Sequence, residues 1–406
     1  MKLSNIAKYV TDKISSDNIT LESYITTDNI LPNKQGRTLA SNLPPQKCSL
    51  TKYAKGDVLI ANIRPYLKKI WLADEEGGAS NDVLVFRAKD RYESIFLYAV
   101  LLQDLFYDWV MKAPKGTQMP RGDKNHIMNF KVEDVQSKDR IGKLLSNIDK
   151  KIALNRQINA NLEALAKQLY DYWFVQFDFP DANGKPYKSS GGKMVYNEKL
   201  KREIPDGWNI CQLNEYILSD NTGDWGKDAI SDGYFEVGCI RGADILSLID
   251  LPKRYIKNEE KLLSEHDIVI EVSGGSPTQA TGRSAYISQG VIERNGGRIT
   301  CSNFCHAFTL KDYRKSAYFY YTWQLLYNSG NMFNYEGKTS GIKNFMTEMF
   351  LKNYWVDIPQ NLSNKFFEKV SVWYSMKDAN IAEIASLTKQ RDELLLLLMN
   401  GQVTIE

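Results

Sequence analysis

The chain has little with which to perform catalysis. Its 406 residues include 3 histidines. Neither His126 nor His266 has a plausible nucleophile beside it, so triad and acid–base chemistry lack their usual equipment. The third, His306, sits with Cys301 and Cys305 in a spacing that could begin a metal site. Asp267 and Glu271 share one strand-like run without the lysine that a nuclease site requires. The 5 cysteines, at 48, 211, 239, 301 and 305, are odd in number and scattered, which suits a reducing cytoplasm better than a disulfide framework. No run approaches the roughly 18 apolar residues of a membrane span. The opening, MKLSNIAKYVTDK, carries no apolar core of signal-peptide type, so a cytoplasmic location is expected. Net charge is only +3. If nucleic acid is the partner, positive charge must be local or lent by other subunits.

Two further motifs dissolve on inspection. Gly337-Lys338-Thr339 resembles the end of a phosphate-binding loop, but that loop requires glycine where position 332 is Met. Asn42-Leu43-Pro44-Pro45-Gln46 approaches an amino-group methyltransferase motif, yet it has an inserted leucine, lacks the aromatic, and no Gly-rich methyl-donor loop follows a strand elsewhere. No catalytic centre and no bound cofactor or metal is expected in this chain.

What is present is a long internal repeat. SNDVLVFRAKDRYESIFLY (80–98) aligns without a gap on SNFCHAFTLKDYRKSAYFY (302–320), with Ser80/Ser302, Asn81/Asn303, Phe86/Phe308 and Tyr98/Tyr320 among the identical pairs. IMNFKV (127–132) then matches LKNYWV (351–356). Under this alignment Cys301, Cys305 and His306 correspond to Ala79, Val83 and Leu84, which favours a buried strand over a metal site. A repeat of this length means two whole domains and not a solenoid, whose units are about 20–50 residues. Each half mixes strand formers with turn clusters and a helix-like apolar segment, first SIFLYAVLLQDLFYDWVM, later SAYFYYTWQLLYNSG. The heads are therefore α/β or α+β.

Each head is followed by a long heptad-patterned stretch. In the first, Ile141, Ile148, Asn155, Leu162 and Leu169 take a, and Leu144, Lys151, Ile158, Leu165 and Tyr172 take d. In the second, Phe367, Tyr374, Ile381, Thr388 and Leu395 take a, and Val370, Lys377, Ile384, Arg391 and Leu398 take d. The simplest partner for each seam is the other, giving a rod of roughly 50 Å at about 1.5 Å per residue. Ile148, Leu162, Leu165, Leu169, Ile381, Leu387 and Leu395 are expected at the coiled-coil interface, with Tyr172, Trp173 and Phe174 available to a partner subunit. The expected boundaries are 1–137 for the first head, 138–180 for its helix, 181–205 for an exposed linker, 206–361 for the second head and 362–406 for the last helix.

Polar loops fall at matching places in the two heads. KGTQMPRGDKNH (115–126) precedes one aligned block, and EGKTSGIKNFM (336–346) precedes the other. VSGGSPTQATGRSA (272–285) has the same chemistry. Glycine allows close backbone approach, while the polar side chains donate to phosphates or read base edges. The candidate DNA-binding residues are Lys115, Thr117, Gln118, Arg121, Lys124, Ser273, Thr278, Gln279, Arg283, Lys338, Thr339, Lys343 and Asn344.

With these segments in view, the chain resembles the specificity subunits of type I restriction–modification systems. NLEALAKQLYDYWFVQFDFPDANGKPYKSSGGKMV (161–195) followed by EIPDGW (203–208) is similar to the family's central region. LTKQRDELLLLLMNGQV (387–403) resembles its C-terminal end, and GDVLIANIRPYLKKI (56–70) a target-recognition domain. The resemblance implies a bacterial or archaeal protein that is not itself an enzyme. It implies two recognition domains on antiparallel helices, double-stranded DNA as ligand, two methylation subunits and motor–nuclease restriction subunits as partners. S-adenosylmethionine, ATP and Mg would then belong to those partners. The expected function is recognition of a bipartite, asymmetric DNA target. A coiled-coil scaffold presenting two protein-binding heads is the alternative.

Overall fold

The structure, a computed structural model, describes the chain apart from residues 90, 91, 117, 277, 340, 360 and 406 and the side chains of Lys338, Thr339 and Ile358. It divides into two compact units, Met1–Arg156 with Glu383–Glu406, and Gln157–Ala382.

The first unit contains β1 (Ala7–Tyr9), β2 (Lys13–Ser15), β3 (Tyr24–Ile25), β4 (Ser49–Tyr53), β5 (Val58–Ala61), β6 (Ile70–Leu72), β7 (Gly77–Ala79) and β8 (Val83–Ala88). They form two four-stranded sheets, ordered β1-β8-β5-β6 and β2-β4-β7-β3. β5 is buried at every position. Successive strand side chains face opposite ways, so a strand between two layers must be apolar throughout. Val58 and Ile60 join Leu84 and Phe86 in a core shared with α1 (Ser94–Leu102). Leu59 joins Val83 and Val85 against Ile25, Tyr53 and Ala79 of the second sheet. α1 is apolar nearly all round because it too is covered on both sides. Ile141 and Leu145 of α2 (Lys138–Tyr170), together with Leu395, Leu398 and Met399, complete its core. Between α1 and α2, β9 (Pro114–Lys115) and β10 (Arg121–Gly122) form a short hairpin.

The second unit repeats the central arrangement. It holds β11 (Met194–Asn197), β12 (Arg202–Pro205), β13 (Asn209–Gln212), β14 (Ile217–Thr222), β15 (Phe235–Ile240), β16 (Lys253–Ile256), β17 (Ile268–Glu271), β18 (Ser273–Gly274), β19 (Ser284–Tyr286), β20 (Ile299–Cys301) and β21 (Cys305–Leu310). The sheet order β14-β21-β17-β19 reproduces β1-β8-β5-β6. Registers agree as well: Val58 lies opposite Phe86, and Ile268 opposite Phe308, the two phenylalanines that the sequence repeat aligns. α3 (Ser316–Asn328) takes the place of α1. Its Trp323 is fully buried and meets Phe308 edge-on at 5.7 Å. Tyr170, Trp173, Phe174, Phe366 and Val370 share that core. On the other face Val269, Ala285 and Ala307 pack with Ile240, Ile299, Cys301 and Cys305. Burial pushes the Cys239 and Cys305 thiols up to about 12, so all three cysteines of this layer, Cys239 with Cys301 and Cys305, act as small apolar side chains.

α4 (Leu362–Met399) runs antiparallel to α2 within each unit. In the first, Arg391 donates to Asp149 at 2.9 Å and Asn155 to Glu383 at 2.6 Å. In the second, Asn380 donates to Asn159 at 2.8 Å and Lys377 pairs with Glu163.

The inward face of α2 corrects the heptad frame. Ile141, Asn155 and Leu162 are buried as read, with Ile148 and Leu169 partly so. The second row, however, is Leu145, Ile152, Asn159, Ala166 and Trp173, one residue beyond each expected d position. Leu165 is 47% exposed and Tyr172 39%. A helix of 3.6 residues per turn returns to one face after either three or four residues, so both rows satisfy the same period. The row that turns inward leaves the Lys151 ammonium in water. In α4, Leu395 is buried while Ile381 and Leu387 are partly covered.

The stretch expected as a linker is also more structured than its composition suggests. α2 gives way to a π-helical turn at Asp171–Val175, and β11 and β12 then form a hairpin. Phe179 stacks between Tyr187 and Trp208, and Arg202 donates to Asp357 at 2.6 Å. Its apolar residues are few, but they are spaced to fold back onto the second unit.

Candidate nucleic-acid interface

In each unit two polar loops are brought side by side. One leaves the strand at the centre of the sandwich, β5 or β17. The other is the hairpin after the core helix, α1 or α3.

In the second unit the hairpin is β22 (Glu336–Thr339) and β23 (Ile342–Phe345), and β18 adds a third strand. Ser273 lies opposite Asn344, and its hydroxyl donates to the Asn344 side-chain oxygen at 2.7 Å. Two ion pairs beneath fix the loops. Lys343 meets Glu336 at 3.1 Å with both side chains nearly excluded from water, and it also donates to the Gln279 carbonyl at 3.2 Å. Glu336 in turn accepts from the Thr281 amide at 2.7 Å and its hydroxyl at 3.1 Å. Arg283 makes a bidentate pair with Glu271 at 2.6 and 2.7 Å, which raises its pKa. Gly282 adopts φ +101°, open to glycine, and its carbonyl accepts from Trp323 Nε1 at 2.7 Å. The loop is thereby anchored to the core helix.

These contacts divide the sequence candidates. Lys343 and Arg283 are committed to internal carboxylates, so they build the surface instead of supplying free charge to it. That corrects their assignment as DNA-contacting cations; the physical reason is that a carboxylate neutralises each. The carboxylate is close in the chain in each case: Glu336 lies on the same hairpin as Lys343, and Glu271 ends the strand that leads into the Arg283 loop. Thr278 and Gln279 stand exposed on the loop, and Ser273 and Asn344 lie on the small sheet. Lys338 and Thr339 contribute backbone to β22, opposite Lys343 and Ile342, and their side chains lie outside the described residues.

In the first unit Lys115, Gln118, Arg121 and Lys124 are all exposed around the β9–β10 hairpin, while Thr117 lies outside the described residues. Arg121 pairs with Asp82 at 3.0 Å and Lys115 with Asp123 at 2.5 Å, both in solvent. Pairs of that kind contribute little and are readily exchanged. Asp123 caps the short helix Lys124–Met128 through the His126 amide at 2.8 Å. The Lys115 ammonium, then the His126 amide, hold its carboxyl down at about 2. Lys124 approaches the Tyr9 ring at 5.9 Å.

Residues 62–68 lie beside this hairpin and were not among the candidates. Ile63 bridges Arg121, the Arg64 amide donates to the Pro120 carbonyl at 2.8 Å, and the Gly122 amide donates to Asn62 Oδ1 at 3.1 Å. The signal was in the repeat: 62–68 follow β5 as 272–283 follow β17. Only the second of these loops carries the glycines that draw attention.

Trp173 and Phe174 are buried with Tyr318 and Phe366, so of the three aromatics ending α2 only Tyr172 is on the surface. Among the described residues no cluster of three His, Cys, Asp or Glu side chains is placed to hold a metal ion, and no helix is long and apolar enough to cross a membrane.

Residues 1–164 match the family model of the type I restriction modification DNA specificity domain. The chain is 22% identical over 378 residues to the type I restriction enzyme MjaIX specificity subunit of Methanocaldococcus jannaschii, covering 89% of this chain and 81% of that one. It is 28% identical over 173 residues to the HindI specificity subunit of Haemophilus influenzae, covering 38% of this chain and 36% of the other. In fold it resembles the S subunit of a type I restriction-modification system from M. genitalium, with TM-score 0.60 at 14% identity over 98% of this chain and 95% of that one.

Proposed function

We propose that the chain, whose residues 1–164 match the type I restriction modification DNA specificity domain and which is similar along most of its length to a type I specificity subunit, is itself such a subunit and recognises a bipartite, asymmetric sequence in duplex DNA. Residues 1–137 and 206–361 are two tandem recognition domains, one for each half-site. α2 and α4 form an antiparallel coiled coil that sets the unread gap between the halves and offers a docking site to two methylation subunits. Motor–nuclease subunits join in the restriction complex. The chain selects the site and does no chemistry itself. The methyl donor, ATP and Mg2+ are handled by the partners.

The observation that carries this proposal is the pair of polar loops at the same place on the same sheet in both units. Two loops differing in sequence on one scaffold suit two readers of different half-sites, with hydrogen bonds to base edges supplying the discrimination. The modest net charge fits a reader that shares its phosphate contacts with other subunits.

The test is methylation sequencing in a methylation-free host that expresses this chain with its cognate methylation subunit. Two unlike half-sites separated by a constant gap are the expected outcome. A continuous motif, or no site-specific methylation by an assembled complex, would refute the proposal.

A further inference from the structure

We propose that Arg64 is a base-reading residue of the first head, its guanidinium engaging the major-groove edge of a guanine. This rests on the DNA-recognition function proposed above and names one residue that performs it.

The first support is position. Residues 62–68 leave β5 as residues 272–283 leave β17, and each loop lies along the neighbouring hairpin, through Ile63 with Arg121 in one unit and Ser273 with Asn344 in the other.

The second is the backbone. Arg64 is held at φ +51°, as is Lys68 at the far end of the turn, with buried Pro65 between them. Arginine adopts this left-handed conformation rarely. It persists where the surroundings over-determine it, and such residues concentrate at functional sites. Here the hydrogen bonds from the Arg64 amide to Pro120 and from Gly122 to Asn62 supply the constraint.

The third is charge. The other described arginines of this head each meet a carboxylate, Arg37 with Glu75 and Arg87 with Asp57, both partly shielded from water, and Arg121 with Asp82 in solvent. Arg64 is exposed, and among the described residues no carboxylate lies within ion-pairing distance of it. A strained backbone that holds an uncompensated guanidinium outward suits an acceptor from another molecule. Phosphate needs only a nearby positive charge, which an exposed lysine such as Lys124 can provide. Direction matters when a planar fork must meet O6 and N7 of guanine together.

The experiment uses the full chain assembled with its methylation subunits, as wild type and as Arg64→Ala, Arg64→Lys and Arg64→Gly. Site preference is read by methylation sequencing, and duplex binding is measured at two salt concentrations. The wild-type motif should contain a G·C pair in the first half-site. All three variants should lose preference at that pair by roughly ten- to a hundredfold and keep the second half-site intact. Lysine should not rescue. Arg64→Gly, which relieves the positive φ, should melt no lower than wild type, so the loss cannot come from unfolding. Unchanged preference, rescue by lysine, or a uniform loss on all sequences with a shallower salt dependence would overturn the assignment. A wild-type complex without a bipartite motif would instead overturn the recognition function on which it rests.

Discussion

Lys343 and Glu336 show how an ion pair can matter without meeting a ligand. Both are nearly shut off from water, and between them they hold residue 279, residue 281 and two strands of the small sheet. Truncating Lys343 to methionine strands a buried carboxylate, a change that costs about 3–5 kcal/mol. Calorimetry should show a lower melting temperature, and methylation mapping should show loss at the second half-site with the first preserved. Asp123 offers a titration test in the other head. Its carboxyl is held at about 2, first by Lys115 and then by the His126 amide, below the roughly 3.9 of an unfolded aspartate. A depressed acid stabilises the fold at pH above the unfolded value and loses that contribution as pH falls through about 2. Side-chain NMR should place the Asp123 midpoint there and find it raised in Lys115→Ala. An equal midpoint in the two proteins would show that the pairing does not persist in solution.

Elements are fixed to one another by a few polar groups inside otherwise apolar seams. Arg391 is 2% exposed and meets Asp149, which also accepts from the Tyr98 hydroxyl of α1 at 2.8 Å. One interaction thus ties α4 to α2 and α2 to the core helix. Its value lies in register more than in stability, since a buried pair gains little over packed apolar groups while a broken pair is costly. Arg391→Met alone should destabilise by about 3–5 kcal/mol, whereas Asp149→Leu with Arg391→Met should return most of that. Chemical denaturation of both single variants and the double variant measures the coupling. Additive effects would mean that the pair does not act as a unit. Asn155 with Glu383 and Asn159 with Asn380 extend the same device.

At the scale of the whole molecule, the proposed function divides between what reads and what spaces. Exchanging residues 206–361 for the second head of a relative should change one half-site and leave the other as it was. Adding one heptad to α2 near Asn155 and one to α4 near Glu383, which face each other, keeps both seams in phase. On the proposed function this lengthens the helices by about 10 Å, roughly three base pairs at about 3.4 Å each. Methylation mapping should then report a wider gap between unchanged half-sites. An active variant with its original gap would show that the coiled coil does not set the distance.

The sequence by itself determined the elements and their repetition. Ile268-Val269-Ile270 and Val58-Leu59-Ile60 had to become central strands, because runs apolar at every position are stable only with a layer on each face. The aligned Phe86 and Phe308 marked the same place in two sheets. These features depend on residues close together in the chain, where periodicity and composition carry the information. Tertiary structure decided which of two equivalent helical rows turned inward, choosing Leu145 and Ala166 over Leu144 and Leu165. It also decided which cations remained available to a partner. Lys343, read from the sequence as a DNA-contacting cation, is paired with Glu336 out of water, while Arg64, which was not among the candidates, has no carboxylate within ion-pairing distance among the described residues. Glu336 stands on the other strand of the same hairpin as Lys343, and it is the folded hairpin, seated against the loop at Gln279 and Thr281, that closes the two off from water.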